Sequence, residues 1–525
     1  MQIAERQPHK ADSRLWWFMP VALVAAGVLV PVAYLFVRAL AADPAEVAQL
    51  LFRPRTLVLL SNTFALSVSV WALASAIALP LAWLAVRAKT NYAGMLTLLG
   101  VLPLAIPGYV TAYALLGLFG DYGVLARTAG VMLPRPSGFV GATAALGFYT
   151  APYLFLNLRA ALLGLDPAQE EAARSLGLSP WATWRQVVLP QLRPAFLAGT
   201  LLVLLHVLGD FGVVSLMRFE TLSYALYVQY TSAFDRTYAS VIALVLMVLA
   251  ALVLWGEARL LKGLRFARTA SGTARPVPRT TLGRWTPIAV GFVALVALAT
   301  VVAPLVTLSF WLVQAFDPAE LPKLAEGAWN SVKAAAPAAV LAVALAFPLA
   351  WLGVRHDTAT SRVAERMAYL GYATPPLAFA LALIFFALGV LPFAYQTLGL
   401  LVVAFALHFL AEAIGPIRSA LYQTPPRLED AARALGRTRF GAFRAVTLPL
   451  AARGLWVGGA FVFLAAMKEL PITFLLAPLG FDTLAMRVWS YTTEALFGAA
   501  APFALAIVAI AAASVALLLR QERQA

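Results

Sequence analysis

Residues 170–190, EEAARSLGLSPWATWRQVVLP, and residues 429–449, EDAARALGRTRFGAFRAVTLP, are two versions of one polar segment. In the first, Glu171-Ala172-Ala173 is followed after three residues by Gly177, after nine more by Val187, and then by Leu189-Pro190. In the second, Asp430-Ala431-Ala432, Gly436, Val446 and Leu448-Pro449 keep the same spacing. Ala pairs are strong helix formers, the acids sit near a helix start where negative charge suits the macrodipole, and Pro167 and Pro426 precede them as suits a first turn. Gly177 and Gly436 fit a C-cap or a tight bend. A second short helix follows, with Trp181, Trp184 and Val187–Val188 at helical spacing, or Phe440, Phe443 and Val446, and Pro190 and Pro449 are expected to stop it. The pattern predicts a helix, a bend and a helix outside the apolar spans, with an apolar face to bury. A single copy would also suit an amphipathic connector resting on lipid. Two copies in one register argue against that plainer reading.

Around these segments the chain is a membrane protein. It has 525 residues, 62% hydrophobic and 12% charged, where soluble domains run near 45–50% apolar and about 25% charged. A membrane helix needs roughly 20 mainly apolar residues. By that measure there are about twelve spans: 16–40, 58–86, 94–119, 139–163, 195–217 and 237–258, then 286–315, 329–354, 366–390, 396–421, 454–477 and 499–519. Span 1 is too long for a signal-peptide apolar region and no small-residue cleavage site follows it, so it is expected to be retained.

Basic residues set the orientation. Arg6, Lys10 and Arg14 precede span 1, Arg87 and Lys89 follow span 2, Arg174, Arg185 and Arg193 lie between spans 4 and 5, and Arg355, Arg362 and Arg366 follow span 8. Further clusters separate spans 6 and 7 and spans 10 and 11, and Arg520 and Arg523 follow span 12. All fall on one side, which the positive-inside rule makes the cytoplasm, with both termini there. The opposite loops carry acids, among them Asp43, Glu46, Asp121, Glu220, Asp235, Asp317 and Glu320. The formal charge of +15 follows from this loop bias, so no nucleic-acid partner is inferred.

The stretch 263–284 is polar, basic and rich in Gly, Pro, Ser and Thr, and reads as a cytoplasmic linker between a first half, 1–262, and a second, 285–525. The halves repeat each other. PLAWLAVR at 80–87 returns as PLAWLGVR at 348–355, an offset of 268, and EEAARSLG at 170–177 returns as EDAARALG at 429–436, an offset of 259. Asp210 pairs with Glu469, and Phe219-Glu220-Thr221-Leu222 matches Phe481-Asp482-Thr483-Leu484 at an offset of 262. Six spans and a linker return the chain to its starting side, so the fold expected is all-α, two parallel six-helix halves with a path between them.

At these residues a resemblance is plain. The paired segments resemble the "EAA" loops of binding-protein-dependent ABC importer permeases, with Val in place of the family's Ile in both copies and Asp430 in place of Glu in the second. The resemblance implies a type I importer permease fold in the bacterial inner membrane. It implies that Glu171, Ala172, Ala173, Gly177, Leu189 and Pro190, with Asp430, Ala431, Ala432, Gly436, Leu448 and Pro449, form coupling loops that dock into two ATPase subunits. A periplasmic solute-binding protein would deliver the cargo. The chain has no G-x-x-x-x-G-K-[ST] loop and no Gly-Lys dipeptide at all, so it is not expected to be an enzyme: ATP and Mg belong on partner subunits. Gly209-Asp210-Phe211-Gly212 and Lys468-Glu469-Leu470-Pro471, with the segments after them, resemble fused ferric-iron permeases. Thiamine, phosphonate, polyamine and oxyanion permeases share the loop pattern and are the alternatives.

Ionisable groups inside spans are costly, so Asp210, Glu412, Lys468 and Glu469 ask for an explanation. Asp210, Lys468 and Glu469 are candidates for a translocation path or gate, with local pairing of Lys468 and Glu469 as the other reading. Cysteine is absent, and the four histidines, His9, His206, His356 and His408, are not at metal-ligand spacing, so no resident metal site is expected. His206 and His408 read as satisfied interior histidines. Pro103, Pro107, Pro375 and Pro376 are expected to break spans 3 and 9. An ion-gradient-driven transporter is the rival class, but it needs no matched loops. A membrane enzyme would need a catalytic constellation that the sequence does not display.

Overall fold

The computed structural model describes residues 14–40, 43–231, 236–262, 279–315, 317–356 and 359–523. Arg6, Lys10, Asp235 and linker residues 263–278 lie outside the described residues. Among the described residues the chain is helical, with no strand beyond one isolated parallel bridge, Ala88 with Thr280. Among the described residues nine helices are long and apolar enough to cross a membrane, and three bent helix pairs bring the total to as many as twelve.

Two of the three bends fall where proline dictates. Span 3 breaks by 94° between Ala93–Ala105 and Gly108–Leu118, and span 9 by 104° between Arg366–Ala373 and Pro376–Val390. The third bend, 52° at Phe409 between Leu398–His408 and Leu410–Tyr422, divides span 10. Span 4, its counterpart, runs unbroken from Gly138 to Leu163.

Several helices outrun their apolar windows. Span 5 belongs to the continuous helical run Pro180–Gly209 and span 11 to Arg439–Lys468, so both start earlier and end earlier than the apolar stretches 195–217 and 454–477. The early end has a local cause, since a carboxylate at each end turns to cap a new short helix. Asp210 ends the first run and caps Gly212–Leu216, and Glu469 ends the second and caps Pro471–Leu476.

By contacts the chain divides into two compact units, and each draws on both halves of the sequence. One comprises 1–35, 332–374 and 382–466, and the other 36–331, 375–381 and 467–525. Within the larger unit, small residues let helices approach: a side chain at Gly199 would meet the Cα of Leu154 at 2.9 Å. Within the smaller unit, the equivalent Gly458 lies against Ala413, whose Cα would stand 3.1 Å from an added side chain. The repeat is therefore visible in packing as well as sequence. It is also visible in polar ties of the larger unit. Asn62 donates to the Glu220 carbonyl (2.9 Å) and Thr63 accepts from the Leu222 amide (3.0 Å). Asn330 and Ser331 repeat both bonds with Asp482 (3.1 Å) and Leu484 (3.0 Å).

Candidate functional site

The loop after span 4 starts with Asp166, whose Oδ1 accepts from the Ala168 amide at 3.0 Å, and Pro167 takes the first helical position. The helix Pro167–Ser175 buries Pro167, Glu170 and Ala173, one stripe at three-residue spacing. It ends at Gly177, whose φ is +87°. The Leu178 amide reaches back to the Ala173 carbonyl (3.1 Å) and the Gly177 amide to Arg174 (2.9 Å), the paired bonds of a Schellman cap. The loop after span 10 repeats this end closely: Gly436 has φ +86°, the Arg437 amide bonds Ala432 (3.1 Å) and the Gly436 amide bonds Arg433 (3.0 Å).

The second helix of each loop departs from expectation, because Pro190 and Pro449 do not stop it. Ser179 and Thr438 cap Pro180–Thr183 and Arg439–Ala442, each of which passes through a π turn, Trp184–Val188 or Phe443–Thr447, directly into the span. In the π turn the Leu189 amide bonds Trp184 and the Leu448 amide bonds Phe443, five residues back. The wide turn restarts the helix so that Pro190 falls in its first turn, where a missing N–H goes unfelt; Pro449 holds the same place after its own π turn.

The seat of each loop is an ion pair. Arg87, the last residue of span 2, forks onto Glu170: Nη1 donates to Oε2 at 3.1 Å and Nη2 bonds Oε1. Both residues are buried, Arg87 at 5% exposure and Glu170 at 8%. In the second half Arg355 Nη2 donates to Glu429 Oε1 at 3.1 Å and to the Thr424 carbonyl at 2.9 Å, while Thr447 Oγ1 donates to the same Glu429 oxygen at 2.6 Å. Planar forked pairing of Arg with carboxylate fixes orientation as well as energy. It ties the end of one span to the first turn of the loop helix.

These four residues are the ones that the motif does not single out. Glu171 and Asp430, the acids of the motif, are exposed, and the buried partner in each copy is the residue before. The signal was present, since both PLAW repeats end in Arg and both loop repeats begin with Glu. Ala172 and Ala431 are exposed, Ala173 is buried and Ala432 half-buried. On the outer side, Leu176 and Leu435 (85% and 86% exposed), Trp181 and Phe440 (both 71%) face away from the packed chain. Each loop is thus held on its inner face and apolar on its outer face.

Asp210 and Glu469 lie at the far ends of the same helices. Asp210 Oδ1 accepts from the Val213 amide (2.9 Å) and Glu469 Oε2 from the Ile472 (2.9 Å) and Thr473 (3.1 Å) amides. Lys468 Nζ donates to the Leu104 carbonyl at 3.2 Å. Beside them Phe211 and Tyr227 of the first half pack on Phe474 and Trp489 of the second. Ring centroids lie 4.4 Å apart for Phe211–Tyr227, 5.6 Å for Phe211–Trp489 and 4.7 Å for Phe474–Trp489.

The model of the family described as "Binding-protein-dependent transport system inner membrane component" matches twice, at residues 76–266 and 334–524. The chain belongs to this family. The permease is 30% identical over 508 residues to a protein named Fe(3+)-transport system permease protein FbpB 2 in Haemophilus influenzae, covering 96% of this chain and 97% of that one. Other relatives match half of it. A probable molybdenum ABC transporter permease of Haloferax volcanii is 28% identical over 48% of this chain and 96% of its own length. The sulfate permease CysW of Escherichia coli is 30% identical over 45% and 84%. One half of this chain thus corresponds to a whole subunit elsewhere, and the permease is two such domains fused. It is a multi-pass inner-membrane protein of an ABC importer, a transporter rather than a catalyst, in a family that works with an ATPase and a binding protein.

Proposed function

We propose that the permease forms the membrane path of a ferric-iron importer, one copy assembling with two cytoplasmic ATPase subunits and one periplasmic binding protein. The two clamped loops carry this reading. Each offers one apolar outer face on a rigidly seated helix, enough to occupy one ATPase cleft, and Arg87 and Arg355 pass the movement of that helix directly to the end of a span. ATP and Mg are held by the partners. The loops and both termini face the cytoplasm, where Lys and Arg collect. Asp210 and Glu469, with Lys468, stand at the gate on the opposite side, where they hold the short helices beneath the aromatic cluster.

The cargo assignment rests on likeness along nearly the whole chain to a ferric-iron permease. The half-length likeness to sulfate and molybdenum permeases favours an oxyanion as the second reading. Reconstitution of the permease with its ATPase and binding protein in liposomes separates the two. Ferric iron entering with ATP, and no entry of sulfate or molybdate, is the expected result; the reverse moves the cargo to an oxyanion. Mass measurement of the same complex should give one permease chain per ATPase pair, and two chains per pair would overturn the stoichiometry.

A further inference from the structure

One group of side chains within the spans, beside the gate residue Asp210, has chemistry that neither loops nor gate use. Tyr149 and Tyr153 lie one turn apart on span 4, on the same helix face, with their hydroxyls 3.4 Å from each other. His206 of span 5 lies against both rings, 4.3 Å from Tyr153 and 6.0 Å from Tyr149 between centroids. All three are half-buried, while Leu146, Thr150 and Leu154 on the same stretch of span 4 are fully buried. The three are therefore only partly covered by the packed chain. Gly108 sits between this trio and Asp210, since a side chain there would come within 3.3 Å of Tyr149 and 3.7 Å of Asp210 Oδ2. Its neighbour Tyr109 is 5% exposed, and its hydroxyl has no hydrogen-bond partner among the described residues.

A buried hydroxyl without a partner costs about 1–3 kcal/mol, a cost that Phe would avoid in the same space. The His206 ring is also set in a particular way. Its Nδ1 lies 2.8 Å from the Leu202 carbonyl, and a carbonyl only accepts. The proton therefore sits on Nδ1, and Nε2 of the neutral ring keeps its lone pair. Ligating histidines are commonly held like this, with one ring N–H given to a backbone carbonyl.

We infer that Tyr109, Tyr149, Tyr153, His206 and Asp210 form a passing site within the first half for a hard, oxygen-seeking metal cation, ferric iron in the present case. The inference rests on the ferric cargo proposed above. Tyrosine oxygen is an established ligand type for iron, carboxylate suits hard cations and imidazole accepts iron. A phenol that ligates the ion releases its proton to water. Among the described residues no three His, Cys, Asp or Glu side chains gather into a metal-holding group. That suits a way-station, where binding must favour entry yet release the ion. The matching steps of span 10 carry His408 and Glu412, so metal-ligating residue types recur at this level of the repeat.

The probe is ferric citrate, added to the purified permease in nanodiscs. The wild type should bind radiolabelled iron and develop a visible phenolate-to-iron charge-transfer band. Y149F/Y153F keeps both rings and should reach the membrane at normal abundance, yet lose the band and bind iron roughly tenfold or more weakly. Ferric uptake by the full complex in liposomes should fall in parallel. H206Q should weaken binding while the band, carried by the phenols, survives. If the wild-type complex imports ferric iron and Y149F/Y153F binds and imports it equally well, the site is wrong and the cargo stands. If the wild-type complex imports an oxyanion instead, the cargo reading fails and this site falls with it.

Discussion

The two loops share a motif, a cap and a π turn, but they are seated differently. The first is anchored by a fully buried fork, with side-chain exposures of 6% for Arg87 and 10% for Glu170. The second pair is more open, 10% for Arg355 and 21% for Glu429. Its helix Pro426–Ala434 has no buried residue, whereas Pro167–Ser175 has three. Where the first loop starts on the capping carboxylate of Asp166, the second has Pro425, with no side-chain cap. In compensation, Glu429 accepts from Thr447, whose counterpart in the first loop is Val188, and Arg355 also holds the Thr424 carbonyl and stacks over Trp351 at 5.0 Å. One seat is a single deep fork and the other a shallower web. The same loop chemistry can therefore be held by depth or by multiplicity, and the two should fail differently.

The largest difference should come from cutting the ion pairs one at a time. Removing one partner of a buried pair costs about 3–5 kcal/mol, because it strands the other charge. Glu170→Ala should nearly abolish transport and the stimulation of ATP hydrolysis by loaded binding protein. Glu429→Ala should be milder, since Arg355 keeps the Thr424 carbonyl and more water. Equal losses, measured by both assays in liposomes, would show that depth of burial does not matter.

The glycines test what the loops share. At the left-handed angles of Gly177 and Gly436 a side chain costs about 1–2 kcal/mol. Neither site has an atom within 4 Å of an added Cβ, so the cost is strain alone. Gly177→Val with Gly436→Val should leave the permease abundant in the membrane and uncouple ATP hydrolysis from the binding protein. Normal transport by the double variant would remove the loops from the coupling path.

The smallest effect belongs to Thr447→Val, which gives the second loop the residue found in the first. A single hydroxyl bond contributes about 0.5–1.5 kcal/mol. The expected result is a small drop in stimulated hydrolysis, growing large when combined with Glu429→Gln. A large drop from Thr447→Val alone would make the hydroxyl, not the ion pair, the anchor of the second loop.

The spans are legible in the sequence because lipid demands long apolar runs, and two of the three breaks are legible because proline lacks an N–H. The true helix ends are hidden. Hydropathy sees only the lipid-solvated part of a helix, so the water-side turns at 180–194 and 439–453 do not read as parts of spans 5 and 11. Also hidden is which of two adjacent acids is buried. Glu170 and Glu171 differ by one residue, about 100° around a helix, and burial against Arg87 decides between them. The bend at Phe409 has no Pro or Gly to announce it. The Tyr149, Tyr153 and His206 grouping needs two spans to meet, which no local pattern encodes.

The π turns at Trp184–Val188 and Phe443–Thr447 have a further consequence, one of phase. A π turn acts as one residue inserted into an α-helix, and each residue turns the helix by about 100°. Faces counted along Pro180–Gly209 as if it were one regular helix come out rotated by that amount beyond the turn. The outward side of Trp181 and the side that carries His206 and leads to Asp210 are thus set by this one extra residue rather than by the spacing between them. Both halves insert it at the same place, so the two helices keep a common rotational setting. A permease shortened by one residue within either turn would hold its loop and its apolar span intact, with the far end of that span facing a different way.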